Sequence, residues 1–93
     1  MNITNKQIAG LKSIKLDGNL GGVYFLFNND EMVYIGKGWN CLLRVAEHTR
    51  KDSDKVFDSW NYIEIDDSAT RGKVERELIN KYKPMYNKTY KNQ

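Results

Sequence analysis

Two short apolar runs, Val23-Tyr24-Phe25-Leu26-Phe27 and Met32-Val33-Tyr34-Ile35, are separated by Asn28-Asn29-Asp30. Aromatic and β-branched residues suit a pleated surface, runs this short read as strands, and an Asn-Asn-Asp step between them is turn chemistry. The segment is therefore a β-hairpin. Gly21-Gly22 break the chain before it, and Gly36 and Gly38 end its second strand. In a chain of 93 residues this hairpin must serve one domain with a modest core, and no room remains for a second folded recognition domain.

The flanking segments supply its cover. Thr4 or Asn5 caps a short helix in which Ile8, Leu11 and Ile14 recur at helical spacing, expected to pack as a lid on the sheet, and Asp17-Gly18-Asn19 interrupts the chain after it. Beyond the hairpin, Asn40 is a helix cap, and the helix from Cys41 to about Arg50 carries Leu42, Leu43, Val45 and Ala46 on one broad side, with Arg44 and His48 on the other. After a polar loop, 51–55, the stretch Trp60-Asn61-Tyr62-Ile63-Glu64-Ile65 has the composition of a third strand. Asp66-Asp67-Ser68 then leads into a helix over about 69–82, stopped at Lys83-Pro84. The fold class is α+β: a three-stranded antiparallel sheet flanked by helices.

Composition excludes several functions. No apolar run approaches the roughly 18 residues of a membrane span, and MNITNKQIAG lacks the apolar core of a signal peptide. A single cysteine, Cys41, rules out an intramolecular disulfide and a cysteine-rich zinc site, so a reducing cytoplasm is the expected compartment. The net charge of +3 is unremarkable, but its distribution is not: KYKPMYNKTYKNQ places Lys81, Lys83, Lys88 and Lys91 among Tyr82, Tyr86 and Tyr90, and Arg44, Arg50 and Lys51 crowd the earlier helix. Lysine interleaved with tyrosine suits phosphate contact with base or sugar packing, and equally a solvated basic terminus.

One position in the last helix breaks the pattern. At 100° per residue Val74, Leu78, Ile79 and Tyr82 form an apolar arc; Glu75 falls inside it and Glu77 outside. A carboxylate turned toward a core needs a cation, a metal or hydrogen-bond donors, because isolated burial costs several kcal/mol or more. A structural ion pair and a metal or catalytic role both satisfy that requirement.

Together these residues resemble a known family. Gly22-Val23-Tyr24, followed ten residues on by Tyr34-Ile35-Gly36, is similar to the paired signature of the GIY-YIG endonuclease superfamily, with valine for the isoleucine. Arg44 lies ten residues beyond Tyr34, His48 one helical turn later, Glu75 three before Leu78-Ile79, and Lys83-Pro84-Met85-Tyr86-Asn87 resembles the closing motif. The resemblance spans about residues 21–88 of a single domain occupying 1–93, leaving 1–20 as an N-terminal helix or extension.

The resemblance implies an endonuclease that hydrolyses DNA phosphodiester bonds with one divalent cation, Mg²⁺ or its substitute Mn²⁺. Glu75 would be its single protein ligand, as suits a hard ion that keeps several waters and takes a phosphate oxygen. Arg44 would bind the scissile phosphate, its planar fork fitting better than lysine. Tyr24 carries the base role in related nucleases, Tyr34 would orient a water or share the proton network, and His48 could position either tyrosine or act as base itself. A phenol titrates near pH 10, so a tyrosine base needs a nearby cation, which Lys37 could supply. Lys37, Arg50 and Lys83 join Arg44 as candidate phosphate or DNA contacts. Asn87 would tie the last segment to the site through side-chain hydrogen bonds.

Trp39 and Trp60 suit packing or rim positions better than stacking on nucleic acid. Cys41 lacks the ordered base and oxyanion donors of a cysteine hydrolase. The competing function is a catalytically silent nucleic-acid-binding module of the same fold. The implied partner is double-stranded DNA, met as a monomer or homodimer, with specificity contributed by a partner copy or a separate protein.

Overall fold

The computed structural model describes residues 2–11 and 20–87. The expected positions of Ile14, Asp17-Gly18-Asn19, Lys88, Tyr90 and Lys91 lie outside these residues. The elements run α1 (Asn5–Ala9), β1 (Gly22–Asn28), β2 (Glu31–Gly38), α2 (Cys41–Glu47), β3 (Ser59–Glu64) and α3 (Ser68–Tyr82). The three strands form one antiparallel sheet in the order β2-β1-β3. The hairpin strand β1 is therefore central, and its residues Val23, Tyr24 and Leu26 are almost wholly buried.

The hairpin turn follows from its residue types. Asn29 and Asp30 have φ of 52° and 67°, the left-handed pair that a two-residue type I′ turn requires and that Asn and Asp adopt with least strain. Further along the ladder, Leu26 pairs with Tyr34 but Phe27 with Met32, leaving Val33 as an extra residue on β2. This β-bulge sets two consecutive side chains on one side of the sheet. Val33 and Tyr34 both pack with Tyr24, Leu26, Cys41 and Val45 on the α2 side, whereas Met32 and Ile35 pack with Val23, Phe25 and Ile79 on the α3 side.

The two longer helices are built as their caps dictate. Asp67 accepts from the Thr70 N–H at 2.7 Å to open α3, and Lys83 closes it in the left-handed conformation, its N–H donating to the Ile79 carbonyl at 2.8 Å. Asn40 accepts from the Leu43 N–H at 3.1 Å to open α2. The face that α2 buries differs from the one its apolar residues predict. Cys41 and Val45 are buried and His48 is half-buried, while Leu42, Leu43 and Ala46 are exposed. The helix turns His48 toward the sheet, where Tyr24 offers a hydrogen-bonding partner, while Arg44 stays about half exposed. It is also shorter than expected, ending at Glu47.

The lid expectation for the first helix is also overturned. Thr4 forms a capping box with Gln7, but the helix has only five residues, none of them buried, and Ile3, Ile8 and Leu11 are exposed. One turn and a half cannot present a continuous apolar stripe.

The chain after α3 returns along the free edge of β2. A 3₁₀ turn over 85–87 delivers Asn87, which is 1% exposed, beside the middle of β2. Its amide oxygen accepts from the Ile35 N–H and its amide nitrogen donates to the Ile35 carbonyl, both at 2.9 Å. The side chain therefore behaves as one residue of a fourth strand and satisfies an edge that would otherwise be open. Tyr86 meanwhile accepts from the Val56 N–H at 3.1 Å, pinning the loop that enters β3. Replacing Asn87 with Ala leaves both Ile35 groups buried without partners. It should cost about 2–5 kcal/mol of folding free energy, read as a lower urea midpoint, and Asn87→Asp should recover only the N–H contact.

Candidate active site

Tyr24 stands on β1 directly opposite Gly36 of β2. A Cβ at position 36 would overlap the phenol ring, coming within 2.7 Å of its Cε1. Glycine is required there for room: the ring lies flat across the neighbouring strand. Two residues on, a Cβ at Gly38 would lie 2.9 Å from the Arg44 Cγ. The glycines around the second motif thus clear the space through which Tyr24 and Arg44 approach each other.

The Tyr24 hydroxyl meets His48 Nε2 at 2.9 Å. Burial holds the Tyr24 phenol well above its ordinary range, reinforced by the Tyr34 charge and opposed by the charge and hydrogen bonding of Arg44. Burial likewise depresses His48 below its ordinary 6.5, helped by Lys55 and Arg44 and opposed by Glu47 and Asp54. At neutral pH the phenol is protonated and the imidazole neutral; with the ring proton on Nδ1 the O–H donates to Nε2, and with it on Nε2 the ring N–H donates to the hydroxyl oxygen. Tyr34 completes an aromatic triangle, its ring centroid 6.1 Å from Tyr24 and 5.1 Å from His48, edge-on to the latter.

Arg44 is the cation beside this pair. Its Nη1 bonds the Glu47 carboxylate at 3.1 Å, with both side chains about half exposed. An exposed i,i+3 pair of this kind contributes little, so the guanidinium can exchange Glu47 for a phosphate at small cost. The charge acting on Tyr24 therefore comes from Arg44, where the sequence pointed to Lys37. Lys37 pairs with Val23 across the ladder, on the α3 side, and a Cβ at Gly72 of α3 would sit 3.3 Å from its Nζ.

Glu75 is buried at 5% exposure, on the inward stripe of α3 between Gly72 and Ile79, and Glu77 is exposed. The anomaly in the apolar arc is thus a real burial. No cluster of three or more His, Cys, Asp or Glu among the described residues could hold a metal. The donor set fits an ion that takes one carboxylate and fills its shell from water and substrate, and does not fit a fully protein-ligated ion such as structural zinc.

The remaining candidates are dispersed. Arg50 lies past α2, exposed and 3.7 Å from Asp52. Lys83 caps the end of α3 away from Lys37, about 16 Å along the helix axis from Gly72. Trp39 is 72% exposed, not packed. Trp60 is a packing residue, stacked on Tyr62 at 5.9 Å. The Cys41 thiol is buried and pushed up by that burial, which makes it a poor nucleophile.

The family model for the GIY-YIG catalytic domain matches residues 20–91. The chain belongs to the GIY-YIG family. The magnesium-bound structure of the GIY-YIG N-terminal endonuclease domain of UvrC from Thermotoga maritima superposes with a TM-score of 0.64 at 27% identity, over 76% of this chain and 86% of that one. A point mutant of the same domain bound to its catalytic divalent cation matches equally, at 0.64 and 27%, with the same coverage. No curated protein matches. This GIY-YIG chain is thus a nuclease domain by family, with the three-stranded sheet and helices of that fold. Among its described residues no helix is long and apolar enough to cross a membrane.

Lys55 was not among the site residues expected from sequence. Its Nζ sits 4.9 Å above the Tyr34 ring. It lies in an irregular loop where no periodicity marks an inward face.

Two outcomes follow from this geometry. Because His48 is depressed only in the folded state, the unfolded chain takes up the proton first as pH falls. Stability should therefore be full above about pH 6.5 and decline as pH drops toward the folded value. Comparison of urea midpoints at pH 7.5 and 5.5 should show that loss in the wild type and much less of it in His48→Asn. Gly36→Ala should displace the phenol from His48 and lower cleavage by about 10²-fold or more, measured beside thermal stability so that a folding defect is distinguished.

Proposed function

We propose that this domain hydrolyses DNA phosphodiester bonds, using Tyr24 and His48 as a proton-accepting pair, Arg44 against the scissile phosphate and a single Mg²⁺ held by Glu75, with Mn²⁺ as a substitute. The observation that carries it is the 2.9 Å hydrogen bond between a buried, protonated Tyr24 and a neutral His48, which acts in this reading with the ring proton on Nδ1. A phenol whose ionisation is disfavoured is a poor base alone. Backed by imidazole, it can take a proton from attacking water while passing its own to Nε2, so full phenolate never has to accumulate. When bound, the ion supplies positive charge against the phosphate as the transition state develops.

Arg44 is placed to share that charge through two N–H donors, and its pairing with Glu47 holds it on the solvent side until substrate arrives. Tyr34 restrains His48 by its edge contact at 5.1 Å. Asn87 holds Ile35, the residue after Tyr34, and so fixes the strand from which Tyr34 projects. Lys37, on the other side of the sheet end, would meet a flanking phosphate in this reading, with Arg50 and Lys83 as more distant backbone contacts. A monomer with one such site nicks one strand; a symmetric dimer would cut both.

Supercoiled plasmid separates this function from silent binding. Wild type with Mg²⁺ should convert it to nicked circle, and chelator should stop the reaction. Arg44→Ala should lose about 2–4 kcal/mol of barrier lowering, a rate loss of roughly 30- to 1,000-fold, while retaining DNA binding. Glu75→Ala should abolish metal-dependent cutting. An intact wild type that binds DNA but never nicks it would leave the binding module as the correct function.

A further inference from the structure

We propose that Lys55, in the loop between α2 and β3, is a positioning residue of the cleavage site: its ammonium lies over the Tyr34 ring and holds a fixed positive charge at the His48 end of the Tyr24–His48 pair. Its side chain is only 18% exposed, and Nζ is 4.9 Å from the Tyr34 centroid. That ring is itself edge-on to His48 at 5.1 Å, so cation, phenol and imidazole form a contiguous series of contacts.

The loop is fixed at this point rather than free to present an ordinary surface lysine. The Lys55 N–H donates to Ser53 Oγ at 3.3 Å, and the next N–H, of Val56, donates to Tyr86 Oη at 3.1 Å. Lys55 and His48 line the same cavity of about 350 Å³, together with Arg50 and Phe57. The acidic neighbour, Asp54, is 3.5 Å away and 87% exposed, so it neutralises the ammonium poorly.

Charged and titratable groups reach His48 from each packed element: Tyr24 from β1, Tyr34 from β2, Arg44 and Glu47 from α2, and Asp54 and Lys55 from the loop. After burial, Lys55 is the largest influence disfavouring the imidazolium, ahead of Arg44, while Glu47 and Asp54 act the other way. The consequence is an imidazole free to accept hydrogen bonding from Tyr24 at neutral pH. Lys55 acts through His48 and Tyr34.

His48 is the only histidine in the chain, so its imidazole resonances can be followed by NMR as pH is varied in metal-free protein. The titration needs no nuclease activity; only a cleavage arm rests on the proposed function. The wild-type midpoint should lie below 6.5. Lys55→Met should raise it and shift the Tyr34 ring resonances, whereas Lys55→Arg should leave it near the wild-type value. Lys55→Gln gives the same test if the Met variant folds poorly. In plasmid cleavage, the acid limb of kcat should move upward with the NMR midpoint, so that kcat falls chiefly at pH values below 6.5, with KM little changed. An unmoved His48 midpoint in both neutral variants would overturn the proposal. So would a raised KM with an unchanged acid limb, which would make Lys55 only a phosphate contact. Absence of cutting by the wild type would count against the nuclease function and leave the titration result standing.

Discussion

The contact between the Tyr24 ring and Gly36 governs the active-site side of this domain. A phenol can be buried on a central strand only if its hydroxyl finds a partner, and it can reach that partner only by crossing a neighbouring strand that has no side chain in the way. Gly36 provides the opening and His48 the partner. Once the hydroxyl is committed to His48, α2 must present Cys41, Val45 and His48 to the sheet and leave Leu42 and Leu43 in solvent. The helix sacrifices apolar burial, about 1.5–3 kcal/mol for a fully buried leucine side chain, to keep one polar pair satisfied.

The bulge at Val33 serves the same end. Strict alternation would send Tyr34 and Val33 to opposite sides of the sheet. With Val33 inserted, both join the cluster beneath α2, and Tyr34 reaches His48. The other side of the sheet is an ordinary apolar interface against α3, except where Glu75 is buried and Lys37 lies against Gly72. Asn87 joins the last segment of the domain to the strand that carries Tyr34, using a side chain in place of backbone. Stability of the β2 edge and placement of the site are therefore properties of one pair of hydrogen bonds.

Most of the framework is local and was readable as such. The third strand, expected at Trp60–Ile65, runs Ser59–Glu64, and the last helix begins at Ser68 instead of Ala69. Strand composition, the Asp66-Asp67-Ser68 turn and the Lys83-Pro84 stop are all signals within a few residues of the boundary they set. Glu75 was legible for a related reason: helical phase is fixed once a helix is assigned, so a carboxylate inside an apolar arc stands out. The inward face of α2 was not legible. Its longest apolar stripe pointed the wrong way, because the phase of a two-turn helix is decided by what it meets. Lys55 was invisible for want of any periodicity, and the side of the sheet taken by Lys37 depends on strand register.

By itself the chain determined a hairpin with its turn residues, a third strand, the helices that follow, the family resemblance and the identity of Tyr24, Tyr34, Arg44, His48 and Glu75 as the unusual residues. Each rests on interactions within a few positions or on a fixed period. Tertiary structure alone decided which of those residues meet: that Tyr24 shares a hydrogen bond with His48, that Arg44 and not Lys37 is the cation beside it, and that Lys55 reaches over Tyr34. Those pairings join residues tens of positions apart, and only packing of the helices on the sheet brings them within the few ångströms over which hydrogen bonds and charge contacts act.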